Sequence, residues 1–472
     1  MKRTSPPLPE RMKWLYSLIL FISAISVGFA QPNSMPVFKN GDRVCFIGNS
    51  ITNNGEFYNF VNLFYATRYP KEKVTFFNCG ISGDQGRGVI KRMDSDILVH
   101  KPTWSVVMLG MNDVNRGLYG KLKESLPGNA AARQAALDAY KTNMETIIQT
   151  LLKNNSKILL QKPTIYDQTG HLPAENFYGV NDALGQCAAY IQEMADKYKL
   201  QTIDYYSILN RINKTIQARD STKTIIGNDR VHPASPGHFI MAYEFLKTTG
   251  ASPSVSEIVI PDAAKKNGIT CKNCSVESVN AGKDQLQFTV KAESLPFPVA
   301  ASAESALDLV PFTEQFNMEL FQVKKLKKGN YDLLIDNKNI AVYSSEDLEK
   351  GINLALVKST PQYIQALKVA DLCTEYRKNY GKLRTIKMIE LHHLPDSLHQ
   401  SDTDVKKAFL DNYLEKRFTN HPQFEYYKNQ FKNYLAFKAV ERDLEQNKIS
   451  LIRSIYVENV VKTHVYTVKR RL

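Results

Sequence analysis

Residues 45–52, "CFIGNSIT", carry an apolar strand pattern straight into Gly-Asn-Ser. Those three residues favour turns for local reasons, so a plain strand-to-loop turn is one reading. The other is a serine displayed at the carboxyl end of a sheet strand, where open α/β sheets place their chemistry. The flanking pattern decides between them. From residue 42 to about 248, short apolar runs alternate with longer amphipathic ones. The strand candidates are "RVCFIG", "VTFFNCG", "WSVVMLG", "KILLQKP" and "QTIDYY". Helical patterns lie near 57–69, 86–99, 131–153, 181–199 and 236–247. Such alternation implies a parallel sheet covered by helices on both faces. The unbroken apolar run "SVVML" fits a strand buried on both sides. This is the pattern of a three-layer α/β domain, with Ser50 in the loop after its first strand.

The chain has 472 residues, 43% hydrophobic and 23% charged, which excludes a disordered or fibrous protein and leaves room for more than one domain. Arg11 and Lys13 precede the apolar run "WLYSLILFISAISVGFA". Gly28 and Ala30 stand where a signal peptidase cuts, so residues 1–30 read as a signal peptide and the protein as exported, periplasmic or extracellular. Met12 is an alternative initiator. No cysteine follows the cleavage point, so no lipid anchor is expected. Loss of four Lys/Arg and one Glu with residues 1–30 lowers the net charge from +14 to +11. That balance suits acidic glycans or envelope surfaces, or is only a lysine-rich solvated surface. No zinc-finger, RNA-binding or Arg-rich signature points to nucleic acid.

The catalytic-domain pattern occupies residues 31–250. Residues 251–348 alternate in the β manner, in "LQFTVKAESLPFPV", "NMELFQVKKL" and "YDLLIDNKNIAVYS", with hairpin-turn chemistry at Asp336-Asn337-Lys338-Asn339. Residues 349–472 read as helical, charged and tyrosine-rich. Cys45, Cys79 and Cys187 sit in apolar segments as buried thiols. Cys271 and Cys274 form a lone CxxC that lacks a second pair at zinc spacing, and a local disulfide and two free thiols are both open readings.

A serine hydroxyl needs a base to take its proton. Two histidines follow an aspartate by three residues: His232 after Asp229, and His399 after Asp396. That spacing lets a carboxylate reach Nδ1 of the ring, fixing its tautomer and stabilising the imidazolium. His232 follows the fifth strand and precedes the last helix of the α/β pattern, so it returns to the sheet's carboxyl edge. His399 lies outside that pattern. "NCGISGDQGRG" and "MLGMNDVNR" follow strands two and three, and Gly83 and Asn112 can there join the Ser50 N–H as donors to an oxyanion. Taken singly, these glycines and Asn112-Asp113 also fit ordinary turns and caps. The G-x-S-x-G elbow is absent, since "GISGD" has aspartate in place of the second glycine, which favours Ser50 over Ser82 as nucleophile.

"FIGNSIT", "GISGD", "LGMND" and "DRVHP" resemble, in order, the four signature blocks of the SGNH (GDSL-type) hydrolases over residues 42–248. The resemblance implies a flavodoxin-like sheet and ester hydrolysis by a Ser-His-Asp triad. It implies Ser50 as nucleophile, His232 as base, Asp229 as its orienting carboxylate, and Ser50, Gly83 and Asn112 as the oxyanion hole. The family's usual Gly-Asp-Ser is here Gly-Asn-Ser, with Asn49 keeping the shape and one acceptor but losing the charge. For an exported member, acetyl groups on polysaccharide are the implied substrate class, with lipid esters and thioesters as alternatives. The segment "GNYDLLIDNKNIAVYSSEDLEKGINLA" resembles the C-terminal extension of some exported bacterial members.

A different class of function is a non-catalytic glycan- or envelope-binding protein on a retired hydrolase fold, suggested by Asn49, the basic charge and the appended region. No cofactor or metal is expected, because adjacent side chains such as His392 and His393 diverge and no ligand cluster supports them. The aromatics of "FEYYKNQFKNYLAF" recur at helical spacing and read as a packing face rather than a sugar platform. Arg87, Asn115 and Arg116 lie just past the site loops as candidate substrate contacts.

Overall fold

The computed structural model describes residues 37–471 except 121, 122, 124, 125 and 266; the leader expected at residues 1–30 lies outside the described residues. Strands β1 (Arg43–Gly48), β2 (Thr75–Gly80), β3 (Trp104–Met108), β4 (Lys157–Lys162) and β5 (Gln201–Asp204) pair in parallel in the order β2-β1-β3-β4-β5. This is the flavodoxin-like order, with its switch point at β1 and β3. Val44 to Ile47, Val106 and Val107 are buried, as a sheet covered on both faces requires. Gly48 is level with Gly80 on one side and Met108 on the other, so the loops after β1, β2 and β3 leave from one edge.

Helices α1 (Ser50–Asn54), α2 (Glu56–Arg68), α3 (Gly86–Lys91), α4 (Asn129–Lys153), α5 (Val180–Tyr198), α6 (Tyr205–Gln217) and α7 (Ser235–Thr248) complete the domain. Helix α6 departs from expectation. "QTIDYY" reads as strand through Tyr206, but the Asp204 carboxylate accepts hydrogen bonds from the Ser207 N–H and hydroxyl and caps a helix at Tyr205.

The extension holds two further sheets. Strands β6 (Ser254–Ile260), β7 (Thr270–Lys272), β10 (Met318–Val323) and β13 (Ile352–Asn353) form one, in the order β13-β10-β6-β7. Strands β8 (Cys274–Ala281), β9 (Gln285–Ala292), β11 (Asn330–Ile335), β12 (Lys338–Ser344) and β14 (Thr463–Arg470) form the other, in the order β12-β11-β14-β9-β8. Asp336 and Asn337, both at positive φ, make the two-residue turn between β11 and β12. The region expected to stay helical to residue 472 instead ends in β14, which buries His464, Tyr466 and Val468 between its neighbours. Phe288, Phe321 and Tyr466 stack in the core between the two sheets.

Between them run α8 (Pro361–His392), α9 (Thr403–Phe418), α10 (Phe424–Ala439) and α11 (Glu441–Glu458). These helices and residues 295–316 share one continuous apolar core with the α/β domain. Phe297 and Phe312 lie against Phe239 of α7, and Phe316 against Phe64 of α2. The outer strand β2 would expose unpaired backbone, and the extension covers it. The Tyr376 hydroxyl donates to the Phe76 carbonyl at 2.6 Å, while Tyr456 brackets Val74, accepting from its N–H and donating to its carbonyl, both at 2.7 Å. Among the described residues, no helix is long and apolar enough to cross a membrane.

Glu319 of β10 is buried with one carboxylate oxygen lacking any hydrogen bond, and Arg68 is the charge nearest it. Burial pushes its carboxyl up to about 7, against the pull of Arg68. The unfolded chain titrates this group near 4.3, so the folded state holds its proton longer. Its contribution to stability is therefore complete below about pH 4 and is lost as pH rises through about 7. Glu319→Gln should leave the melting temperature nearly unchanged at pH 4 and stabilise the protein at pH 8.5 by up to roughly 4 kcal/mol, measured by thermal denaturation at both values.

Candidate active site

Ser50 is the first residue of α1, and the helix stands directly on the strand ends. A Cβ on Gly48 would lie 2.3 Å from the Thr52 hydroxyl and 2.6 Å from the Met108 carbonyl, so only glycine lets β1 turn so tightly into α1. The strand ends on a small residue for that reason. Asn49 caps α1, its buried side-chain oxygen accepting the Ile51 N–H at 3.1 Å. That bond needs an acceptor and no charge, so asparagine serves where the related blocks carry aspartate. The Ser50 N–H is one of the helix's unpaired first-turn donors.

The Ser50 hydroxyl oxygen is 2.7 Å from His232 Nε2, although the two residues are 182 positions apart. His232 Nδ1 is 2.5 Å from the Asp229 carboxylate. The other carboxylate oxygen accepts the N–H groups of Val231 and His232, both at 3.0 Å, so Asp229 shapes the loop that carries the ring as well as holding it. Burial raises the Asp229 carboxyl, but the His232 ring and these two N–H donors outweigh it and hold it well below the usual carboxylate range. With Nδ1–H directed at the carboxylate, Nε2 presents its lone pair to the serine hydroxyl.

Between Asp229 and His232 sits Arg230, buried and at positive φ. Its guanidinium donates to the carbonyls of Asp167, Gly170, Leu172 and Ala174 at 2.8–3.0 Å, pinning the histidine loop to the loop after β4. Sequence reading passed over it, because nothing in "DRVHP" tells that the arginine turns inward.

The loops after β2 and β3 are welded together. Asp113 accepts the Gly86 N–H at 2.7 Å and the Gly110 N–H at 2.9 Å. Beside it, the Asn112 amide donates one N–H to the Asp84 carbonyl at 2.9 Å, which leaves the second hydrogen free to point elsewhere. Gly83 adopts φ +81°, and nothing lies within 4 Å of where its Cβ would be. Ser50, Gly83, Asn112 and His232 all line one cavity of about 660 Å³, within the range of small-molecule sites.

The other wall of that cavity comes from the extension: Met388, His392 and His393 from the end of α8, and Gln423, Tyr426 and Tyr427 at the start of α10. His392 and His393 are lining residues. The aromatic stripe of α10 divides, with Phe431 and Tyr434 packing in the core and Tyr426 and Tyr427 facing the cavity. Arg116 lines the cavity, whereas Arg87 and Asn115 line a separate, smaller one of about 200 Å³. His399 follows the short turn Asp396–Leu398 beyond α8, with Nε2 3.0 Å from the Glu390 carbonyl, and does not line this cavity. Cys45, Cys79 and Cys187 are buried, and Cys271 and Cys274 are free thiols on either side of Asn273.

Arg230→Met removes all four carbonyl contacts while keeping an unbranched side chain. The amides of residues 227–232 should then exchange hydrogen at least about tenfold faster than in the wild type, with the strands of the central sheet unaffected, as read by hydrogen-exchange mass spectrometry.

Residues 46–240 match the GDSL-like Lipase/Acylhydrolase family. An acetylxylan esterase of Geobacillus stearothermophilus is 24% identical over 226 residues, 45% of this chain and 95% of that protein. The solved structure of a gut microbial diltiazem-metabolizing enzyme aligns over 93% of this chain and 99% of its own, with 28% identity and a TM-score of 0.80. That likeness runs through the extension as well as the α/β domain. Residues 46–240 form a GDSL-like domain of the SGNH hydrolase family, and the protein is a carboxylic ester hydrolase.

Proposed function

We propose that the protein is an exported serine esterase that removes acetyl groups from carbohydrate by a Ser-His-Asp mechanism. The observation that carries this reading is the chain of contacts Ser50–His232–Asp229 at the carboxyl edge of the sheet, at 2.7 and 2.5 Å, opening on a cavity with Gly83 and Asn112 on its wall. The carbohydrate acetyl ester follows from the likeness to an acetylxylan esterase, and export from the leader pattern of residues 1–30.

In the first half-reaction the Ser50 oxygen attacks the ester carbonyl as its proton passes to His232 Nε2. Asp229, kept ionised, stabilises the imidazolium. The negative oxygen of the tetrahedral intermediate takes hydrogen bonds from the Ser50 N–H, the Gly83 N–H and the Asn112 amide. Collapse breaks the bond to the alcohol oxygen, which receives the proton from His232 and leaves. In the second half water gives its proton to His232 and attacks the acetyl-serine, releasing acetate and restoring the Ser50 hydroxyl. A retired binding protein would have no need of a base held in hydrogen-bond contact with its serine.

Ser50→Ala should lower kcat on p-nitrophenyl acetate and on acetylated xylo-oligosaccharides by at least about 10⁴-fold with the fold intact by circular dichroism. Full retention of turnover in that variant sinks the mechanism. Asn112→Ala should cost about 10²–10³ in kcat with KM little changed, measured by steady-state kinetics on the same esters.

A further inference from the structure

Among the described residues, Arg116 is the one side chain of permanent charge on the wall of the cavity that holds Ser50 and His232. No aspartate or glutamate among the described residues lines that cavity. The other titratable nitrogens on the wall, apart from His232, belong to His238, His392 and His393, and burial holds all three below the usual imidazole range, uncharged at neutral pH. The standing charge of the wall is therefore a single guanidinium. Asn115, at φ 53°, starts the short turn Arg116–Leu118, and Arg133 holds the Leu118 carbonyl at 2.9 Å, fixing the base from which Arg116 reaches in.

Arg116 is half-buried, and its guanidinium makes no hydrogen bond or ion pair with any described residue. Asp229 feels its charge, but that carboxylate is already occupied by the His232 ring and two backbone N–H groups. The fully buried arginines near the site are paired: Arg92 by two carboxylates, Arg230 by four carbonyls, Arg384 by Asp96. Partial desolvation without a partner is unfavourable, and a planar fork of N–H donors matches a carboxylate.

We infer that Arg116 forms an anion subsite beside the reacting ester, and that the preferred substrate carries a carboxylate on its alcohol part, as an acetylated uronic acid does. This rests on the esterase reading above: where the acyl group is acetyl, a charge on the substrate must sit on the alcohol.

Two matched pairs test it: 4-acetoxybenzoate against 4-acetoxybenzamide, and an acetylated methyl glucuronoside against the corresponding acetylated methyl glucoside. The wild type should prefer the carboxylate member of each pair by about tenfold or more in kcat/KM, chiefly through KM. Arg116→Gln should bring both ratios close to one, and Arg116→Lys should keep part of the preference. Ratios that persist in Arg116→Gln, or a wild type without preference, overturn the subsite. So does an altered pH profile on the neutral esters with the ratios unchanged, which would make Arg116 a positioning residue for Asp229 and His232. Calorimetric titration of Ser50→Ala with methyl glucuronoside separates this inference from the esterase reading. Binding that disappears in Ser50→Ala/Arg116→Gln supports the subsite even where no ester is turned over, and turnover without that binding supports the esterase alone.

Discussion

Asp96 accepts hydrogen bonds from Arg92 at 2.6 Å and, through both oxygens, from Arg384 at 2.7 Å, while Asp84 takes a further bond from Arg92 at 2.8 Å. All four side chains are buried. Two carboxylates and two guanidiniums balance to zero charge, which is the condition for holding such a cluster out of water. Burial works against ionisation of Asp96, but the paired guanidiniums keep its carboxyl far below the usual range. The remaining N–H groups reach the carbonyls of Cys79 and Gly80, where β2 ends and a site loop begins. Arg384 belongs to α8, so the cluster ties the extension to the edge from which the site is built. Were α8 to leave, Asp96 would lose half its cations in a place water does not enter.

That tie explains why the extension contributes to the site at all. With α8 anchored along β2, its last turn falls over the loops after β1 and β2, and α10 follows with Tyr426 and Tyr427. The α/β domain supplies Ser50, Gly83, Asn112 and His232 to the cavity, and the extension supplies its other wall. Variation among related hydrolases in what lies beyond the common domain then becomes variation in what fits beside the serine.

The sheet was legible because its five strands are short apolar runs separated by helical periods, and the site because its residues sit at strand ends in chain order. Ser50, Gly83, Asn112 and His232 line one cavity, and Asp229 stands against the far side of the His232 ring. Helix α6 escaped because its first residues, Tyr205 and Tyr206, suit a strand as well as a helix and the capping Asp204 looks like part of the run. Strand β14 escaped because eight alternating residues follow a long charged helix and carry no turn signal of their own. The arginines escaped for a different reason. Arg92 and Arg384 are 292 positions apart, and Arg230 works through carbonyl groups, which leave no trace in a sequence. Side chains that act through backbone or across the whole chain become visible only once the fold has brought them together.

The place of β14 bears on how the molecule is made. It follows the other four strands of its sheet in sequence, yet it lies in the middle of that sheet, paired to β11 on one side and β9 on the other. Until residue 470 has been synthesised, the two hairpins it joins have no partner and keep open edges. The sheet therefore closes by a contact that spans most of the extension, the slow kind of step in which loop closure must precede any gain. A chain synthesised in order therefore cannot complete this sheet before β14 is made.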